Sequence, residues 1–316
     1  MACATSTAWI LIAVLDPATV LAQQPASKAP SPLAQLTIRP DHVPGRFVRD
    51  WKVSDFEIVD QGQTISAESL DSVLLPLDIA MIPMIRGYSS LTELKQLDRS
   101  MRDAFSQLND EDRFVAISAE SCRANQPLAT IRQEPGLIAH PALYGDRPSL
   151  VPDPLACAIR LLTQDGPSRR LKAILILLDG RFPAPAESSD EIRAMLANDI
   201  AVFVCAILHL PEPPSSSIPP YPRVASRPKG SGKPAQPDLP ASVNVYDDLA
   251  RSSGGIRVTF DPKQETVRTL VAQMKAGVVL SYRPPDIPGW HLIEVKLSAS
   301  AGLPPVHLAH RTKYYQ

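Results

Sequence analysis

The chain has almost no net charge, few aromatic residues and no long apolar run. Its 316 residues carry 32 Lys and Arg against 33 Asp and Glu, a formal charge of -1. That balance lacks the positive field a nucleic-acid binder needs, so nucleic acid is excluded as a partner. The four cysteines (Cys3, Cys122, Cys157 and Cys205) show no CxxC spacing, which excludes a zinc or dithiol site of that kind. No GxSxG, HExxH, Walker or Gly-rich dinucleotide motif is present. The six histidines, His42, His140, His209, His291, His307 and His310, are dispersed and give no nucleophile–base–orienter set. No catalytic residue is assigned, and the chain reads as a non-enzyme.

Proline is what the sequence has in excess: 33 residues, about twice ordinary usage. That favours irregular segments and strand-edge turns over a helical bundle. The N-terminus carries a short apolar stretch, then Val20-Leu21-Ala22 before Gln23. Residues 1–22 are expected to be a cleaved secretory signal, although no basic residue precedes the apolar run and Asp16 follows it. After cleavage nothing is expected to span a membrane. Residues 23–34 read as a disordered lead-in.

Residues 35–71 form a β-rich segment with a hairpin around Gln61-Gly62. From residue 72 to 277 strands alternate with helices. One apolar run starts at Val73 and is expected to end on Asp78; another, Ile174 to Leu178, leads to Asp179-Gly180. Such runs predict strands of a mostly parallel sheet buried on both faces, with ligands at its C-terminal edge. Leu91, Leu94, Leu97, Met101, Phe105 and Leu108 repeat at helical spacing. Asp153 and Pro154 mark a helix start, and Ser252-Ser253-Gly254-Gly255 a helix stop. Residues 211–241 are a Pro/Ser-rich flexible loop. Residues 278–316 are β-rich again, with strict alternation over His291–Leu297 and a last strand over His307–Tyr315. This segment is expected to pack with residues 35–71 as a small β-subdomain.

Several features have plain readings. His307 and His310 are expected on the surface, Asp110-Glu111-Asp112 and Asp247-Asp248 as solvated clusters, and Arg169-Arg170 as a solvated turn. Cys157 falls on a helical face and Cys205 inside an apolar strand, so both read as buried thiols. A disulfide from Cys122 is left open.

The order of these pieces resembles a von Willebrand factor A (VWA) domain, a Rossmann-like α/β fold with helices on both faces of the sheet. Asp55-Phe56-Glu57-Ile58-Val59-Asp60-Gln61-Gly62, Tyr282-Arg283-Pro284, Gly289-Trp290-His291-Leu292-Ile293-Glu294-Val295 and Arg311-Thr312-Lys313-Tyr314-Tyr315 resemble a secreted bacterial VWA-related family of acidobacterial type. The family's metal-ion-dependent adhesion site combines an Asp-x-Ser-x-Ser loop, a Thr and a second Asp. The resemblance implies Asp78 in the first place, Ser149 in the second and Asp179 in the third, with Ala80 and Ile82 where the loop has serines. Magnesium requires near-octahedral oxygen ligation. A site short of two hydroxyls is degenerate, so no cofactor is expected beyond weakly held Mg2+.

The expected function is a secreted or periplasmic module for protein–protein interaction or cell adhesion. It would meet an unidentified protein or cell-surface partner through Asp78, Ala80, Ile82, Ser149 and Asp179. One alternative is an adhesion module dependent on Mg, Ca or Mn through Asp78, Ser149 and Asp179. The second is an uncharacterised hydrolase using paired carboxylates.

Overall fold

The computed structural model describes residues 33–40, 51–71, 75–85, 91–125, 127–130, 153–165, 169–178, 189–207, 241–262, 264–298 and 307–316. The expected signal segment, nearly all of the lead-in, Ser149, Asp179 and the Pro/Ser-rich loop up to residue 240 lie outside them. Every described residue belongs to the compact unit Pro32–Gln316.

Four strands come first: β1 (Ala34–Pro40), β2 (Phe56–Asp60), β3 (Gln63–Ile65) and β4 (Ala67–Asp71). The alternating part follows as β5 (Leu77–Met84), α1 (Leu91–Phe105), β6 (Arg113–Ala116), α2 (Ala119–Ala124), β7 (Ala129–Thr130) and α3 (Pro154–Thr163). It continues as β8 (Leu171–Leu178), α4 (Ser189–Ala197), β9 (Ile200–Ala206), α5 (Ala241–Ser252), β10 (Arg257–Thr259) and α6 (Thr266–Lys275). Last come β11 (Val278–Tyr282), β12 (Trp290–Leu297), β13 (Leu308–His310) and β14 (Lys313–Tyr315).

The fold is mixed α/β. The central sheet has the order β10-β9-β8-β5-β6-β7 and is parallel except for β7. Side chains alternate across it. Leu77, Ile79 and Met81 of β5 join a cluster with α1 and α6. Ala80, Ile82 and Met84 join one with α3, α4 and α5. Strand β8 is buried along its whole length, the pattern of a strand covered on both faces.

Strand β5 corrects one expectation. The apolar run was expected to stop at Asp78, but the strand starts at Leu77 and runs on to Met84, so Asp78 is its second residue. Pro83 does not end it either. Met81 turns its carbonyl toward the β6 side, where the Ile117 N–H donates at 2.8 Å. Residues two apart turn the same way, so Pro83 points its nitrogen where β6 has already ended, and no ladder bond is lost.

Two antiparallel sheets, β13-β1-β11-β4 and β14-β12-β2-β3, share a third core that includes Leu36, Ile38, Ile58, Leu280, Tyr282 and Val295. β2 and β3 meet through Gln61 and Gly62, with φ of 51° and 76°. Positive φ at both central residues is the type I′ arrangement that suits a twisted hairpin. The last strand, expected as one, is two: β13 pairs with β1, and β14 with β12. The break falls at Arg311, whose guanidinium donates to the carbonyls of Leu196 and Gln35 and so ties both parts of the fold together.

Helix signals match the local chemistry. The Asp153 carboxylate accepts from the Ala156 N–H at 2.9 Å, and Pro154 sits in the first turn of α3. α5 ends in a Schellman arrangement: the Gly255 N–H donates to Ala250 O and the Gly254 N–H to Arg251 O. Gly254 has φ of 80°, and a Cβ on Gly255 would lie 1.8 Å from Val202 O. Only glycine permits this approach of α5's end to β9.

Cys122 and Cys157 form a disulfide that links α2 to α3, while Cys205 is free and buried in β9. The buried-thiol reading therefore stands for Cys205 and is corrected for Cys157. Helix α2, which carries Cys122, had no expectation; Ser118 caps it by accepting from the Ser121 N–H at 3.0 Å. The two cysteines are 35 residues apart, and closing a loop of that length stabilises by roughly 4 kcal/mol on the chain-entropy account. Reduction, or the double substitution Cys122→Ser with Cys157→Ser, is expected to lower the melting temperature by several degrees. Calorimetry with and without reductant reads this directly, and an unchanged melt contradicts it.

Candidate functional site

At the C-terminal edge of the central sheet, β5 ends in Met84 and β8 in Leu178, and the two residues are register partners. Met84 is 9% exposed, followed by buried Ile85. The Tyr246 hydroxyl of α5 donates to Met84 Sδ at 3.1 Å. Burial, and then the charge of Asp153, push the Tyr246 hydroxyl up to about 12. The described ends of β5 and β8 are therefore apolar, while Ser118 follows β6 and Asp153 caps α3. Ala80 and Ile82, expected to form a contact surface there, are 0% and 2% exposed and packed in the core.

Asp78 lies at the opposite edge. It pairs in register with Lys172, six residues along the strand from the Met84–Leu178 pair, a span of about 20 Å. Asp179, the other aspartate expected to share an ion, lies outside the described residues. Both Asp78 oxygens are taken. Arg113 donates through Nε at 2.9 Å to one and through Nη2 at 2.7 Å to the other, and Arg170 Nε donates at 2.8 Å to the first. The Asp78 side chain is 1% exposed. The hydrogen bond to Asp78 raises the Arg113 pKa above its ordinary value, against the opposing effect of burial. Arg113 also reaches Asp165 at 2.6 Å.

The described residues therefore do not fit an octahedral magnesium set: the edge where ligands would converge offers Met84, and the carboxylate is held elsewhere by two guanidiniums. Among the described residues, no three His, Cys, Asp or Glu side chains gather as metal ligands.

Other plain readings are corrected at this same edge. Arg170 is an ion-pair partner of Asp78, not a solvated turn residue. Asp112 is fully buried; it accepts from the Leu77 and Asn109 N–H groups at 2.7 Å each and pairs with Lys275 at 2.8 Å. Sequence position hid both roles, because the partners come from distant segments.

The antiparallel part encloses a polar cluster that sequence reading missed. His291 Nδ1 lies 2.8 Å from Asp60 Oδ1, and its Nε2 lies 2.6 Å from Ile287 O. The Tyr314 hydroxyl donates to the other Asp60 oxygen. Burial first, and then Asp60, raise the Tyr314 pKa above its ordinary value. His291 and Asp60 are both 0% exposed. His310, expected on the surface, is buried: Nε2 accepts from the Val295 N–H at 3.2 Å and Nδ1 donates to Arg311 O at 2.7 Å.

Two further features stand out. A cavity of about 430 Å³ opens between the N-terminal edge of the central sheet and the sheet containing β1, β11 and β4; Lys172, Arg170, Arg311 and Asp199 are among its lining residues. On the outer face, Trp290, Leu292 and Tyr315 are exposed at 39%, 66% and 43%. Trp290 and Tyr315 meet edge to face with centroids 5.5 Å apart, and Arg193 lies 4.8 Å from the Tyr315 ring centroid. The alternation in β12 marked its outward residues; Lys172 was marked only by being the one charge in an otherwise apolar strand.

No protein-family model matches the chain, and no curated protein matches it. Solved structures do. The chain is similar to the human COPII-coat protein Sec24c, at 9% identity and a TM-score of 0.38, over 76% of this chain and 43% of that one. It is similar to proximal thread matrix protein 1 from the mussel byssus, at 11% identity and a TM-score of 0.38, over 65% and 48% of the two chains. It is also similar to the ArnB paralog VWA2 from Sulfolobus acidocaldarius, at 9% identity and a TM-score of 0.34, over 90% and 76%. The chain spans less than half the length of the first two.

Burial of His310 generates a pH dependence. Desolvation lowers its pKa, with Arg311 acting the same way and the Arg311 carbonyl, Glu294 and Asp199 opposing. The unfolded chain then takes up a proton, near the ordinary value of about 6.5, that the folded chain refuses, so stability falls as pH falls below that value. Protonation would also set a second N–H against the Val295 N–H. Denaturant unfolding at about pH 7.5 and about pH 5 is expected to show a larger loss for the wild type than for His310→Gln. Equal losses contradict it.

Proposed function

We propose that this chain is an exported, metal-independent binding module of VWA type that acts by contact with a protein partner and not by catalysis. What carries this reading is the occupancy of the two ends of β5. Met84 stands at the C-terminal end, where the resembled family holds its ion, and Asp78 is clamped between guanidiniums at the other. The metal-dependent alternative through Asp78, Ser149 and Asp179 therefore loses its first ligand. The hydrolase alternative gains nothing from the His291–Asp60 pair, which no substrate reaches.

Three observations support the rest. The central parallel sheet and the sequence motifs of its flanking strands agree with a VWA-type module. The Cys122–Cys157 bond is of a kind that persists in oxidising compartments, which supports the exported reading. The exposed Trp290–Leu292–Tyr315 cluster has the composition of a protein contact, where Trp and Tyr are enriched. Among the described residues no helix is long and apolar enough to cross a membrane.

The test is a thermal melt of the purified protein in EDTA and then in millimolar magnesium, calcium or manganese. A ligand that binds only the folded state raises its melting temperature. The expected result is no shift with any of the three. A rise of several degrees with any of them overturns metal independence. For the contact surface, Trp290→Ser should weaken capture of the partner without moving the melt; unchanged capture removes this face from the reading.

A further inference from the structure

We propose that the cavity beneath the central sheet is a binding site for a small oxyanion, with Lys172 as its counter-charge. One wall of the cavity is the face of β1, β11 and β4 turned away from the third core. Register places Gln35, Ser281 and Ser69 in one row across these three strands, and Thr37, Val279 and Asp71 in the next row on the same face. The alternate residues Leu36, Leu280 and Leu70 face the apolar core. The same strands therefore present a hydrogen-bonding surface to the cavity, with the Asp71 carboxylate at one end of the second row.

The facing wall is cationic. Lys172 is 7% exposed, and its ammonium forms no hydrogen bond or ion pair among the described residues. Asp78, its register neighbour, is already bonded to Arg113 and Arg170. Asp199 accepts from the Thr37 N–H at 2.8 Å and from the Thr37 hydroxyl. Arg169, Arg170, Lys172 and Arg311 line the space against Asp71 and Asp199, and the balance stays positive when Asp78 is set against Arg170. Burial lowers the Lys172 pKa, with Arg113 acting the same way, and outweighs the opposing charges of Asp78, Asp199 and Asp165.

A mostly buried ammonium that no described carboxylate contacts directly gains from an anion brought against it. An oxyanion entering here would gain the unpaired ammonium and the Ser69, Ser281 and Gln35 side chains as hydrogen-bonding partners. At about 430 Å³ the space lies within the ordinary range for a small-molecule site. The chemistry is that of a phosphate or carboxylate group, from inorganic phosphate, a phosphate monoester or an organic acid.

The experiment is a thermal melt of the full chain in inorganic phosphate and in malonate, each against chloride at matched ionic strength, with titration calorimetry for whichever anion shifts it. It is repeated for Lys172→Met and for Ser281→Ala. Methionine replaces the unpaired ammonium with an apolar chain of similar length, so that variant is expected to fold, and circular dichroism verifies it. Support is a rise of several degrees in the wild type, lost in Lys172→Met, with affinity reduced about tenfold or more; the anion that shifts the melt identifies the source. Ser281→Ala, which leaves the charge in place, is expected to show a partial loss. No shift with either anion, or an equal shift in Lys172→Met, overturns the proposal.

Discussion

The buried charge of Asp78 is the constraint on which the rest of the structure depends. A carboxylate at the start of a central strand must find compensation, because an uncompensated buried charge costs several kcal/mol. The compensation comes from Arg113 on the neighbouring strand and Arg170 just before β8, so one carboxylate ties together the starts of β5, β6 and β8. Arg113 extends the connection to Asp165 beyond α3. Nearby, Asp112 and Lys275 form a second buried pair that also holds the first N–H of β5.

These interactions give the central sheet two unlike ends. The N-terminal edge is charged and faces the antiparallel sheet of β1, β11 and β4 across a polar cavity. Arg39 of β1 adds to this seam: it is 2% exposed, sits over the Phe203 ring, and is pulled down to about 10 by burial, with Asp199 opposing the shift. At the described C-terminal edge the ends of β5 and β9 are apolar, with Met84, Ile85 and Ile207 buried. The described carboxyl end of β5 offers Met84 in place of a carboxylate, while Lys172 lies at the opposite edge, facing the cavity. Both functional readings follow from this asymmetry.

Much of the fold was legible because its signals are local. Gln61-Gly62 gave the hairpin, Asp153-Pro154 the start of α3, Gly254-Gly255 the end of α5, and alternation the two faces of β12. The candidate site was not legible, because its chemistry is set by distant partners. Asp78 looked like a strand end since a carboxylate in an apolar run usually marks one. The guanidiniums that allow it inside the strand come from 35 and 92 positions away. His291 carried no assigned role, because Asp60 lies 231 positions back. The break at Arg311 hid for the same reason: its carbonyl acceptors, Leu196 and Gln35, lie 115 and 276 positions away.

The central claim is that Asp78 is a structural counter-charge. A double-mutant cycle of Asp78→Asn and Arg170→Met, read by denaturant unfolding, tests it most directly. The account predicts that Asp78→Asn alone costs about 3 kcal/mol, with a coupling energy between the two positions above about 0.5 kcal/mol. Strict additivity, with Asp78→Asn leaving stability unchanged, would mean that the carboxylate is free for another role and would contradict the account.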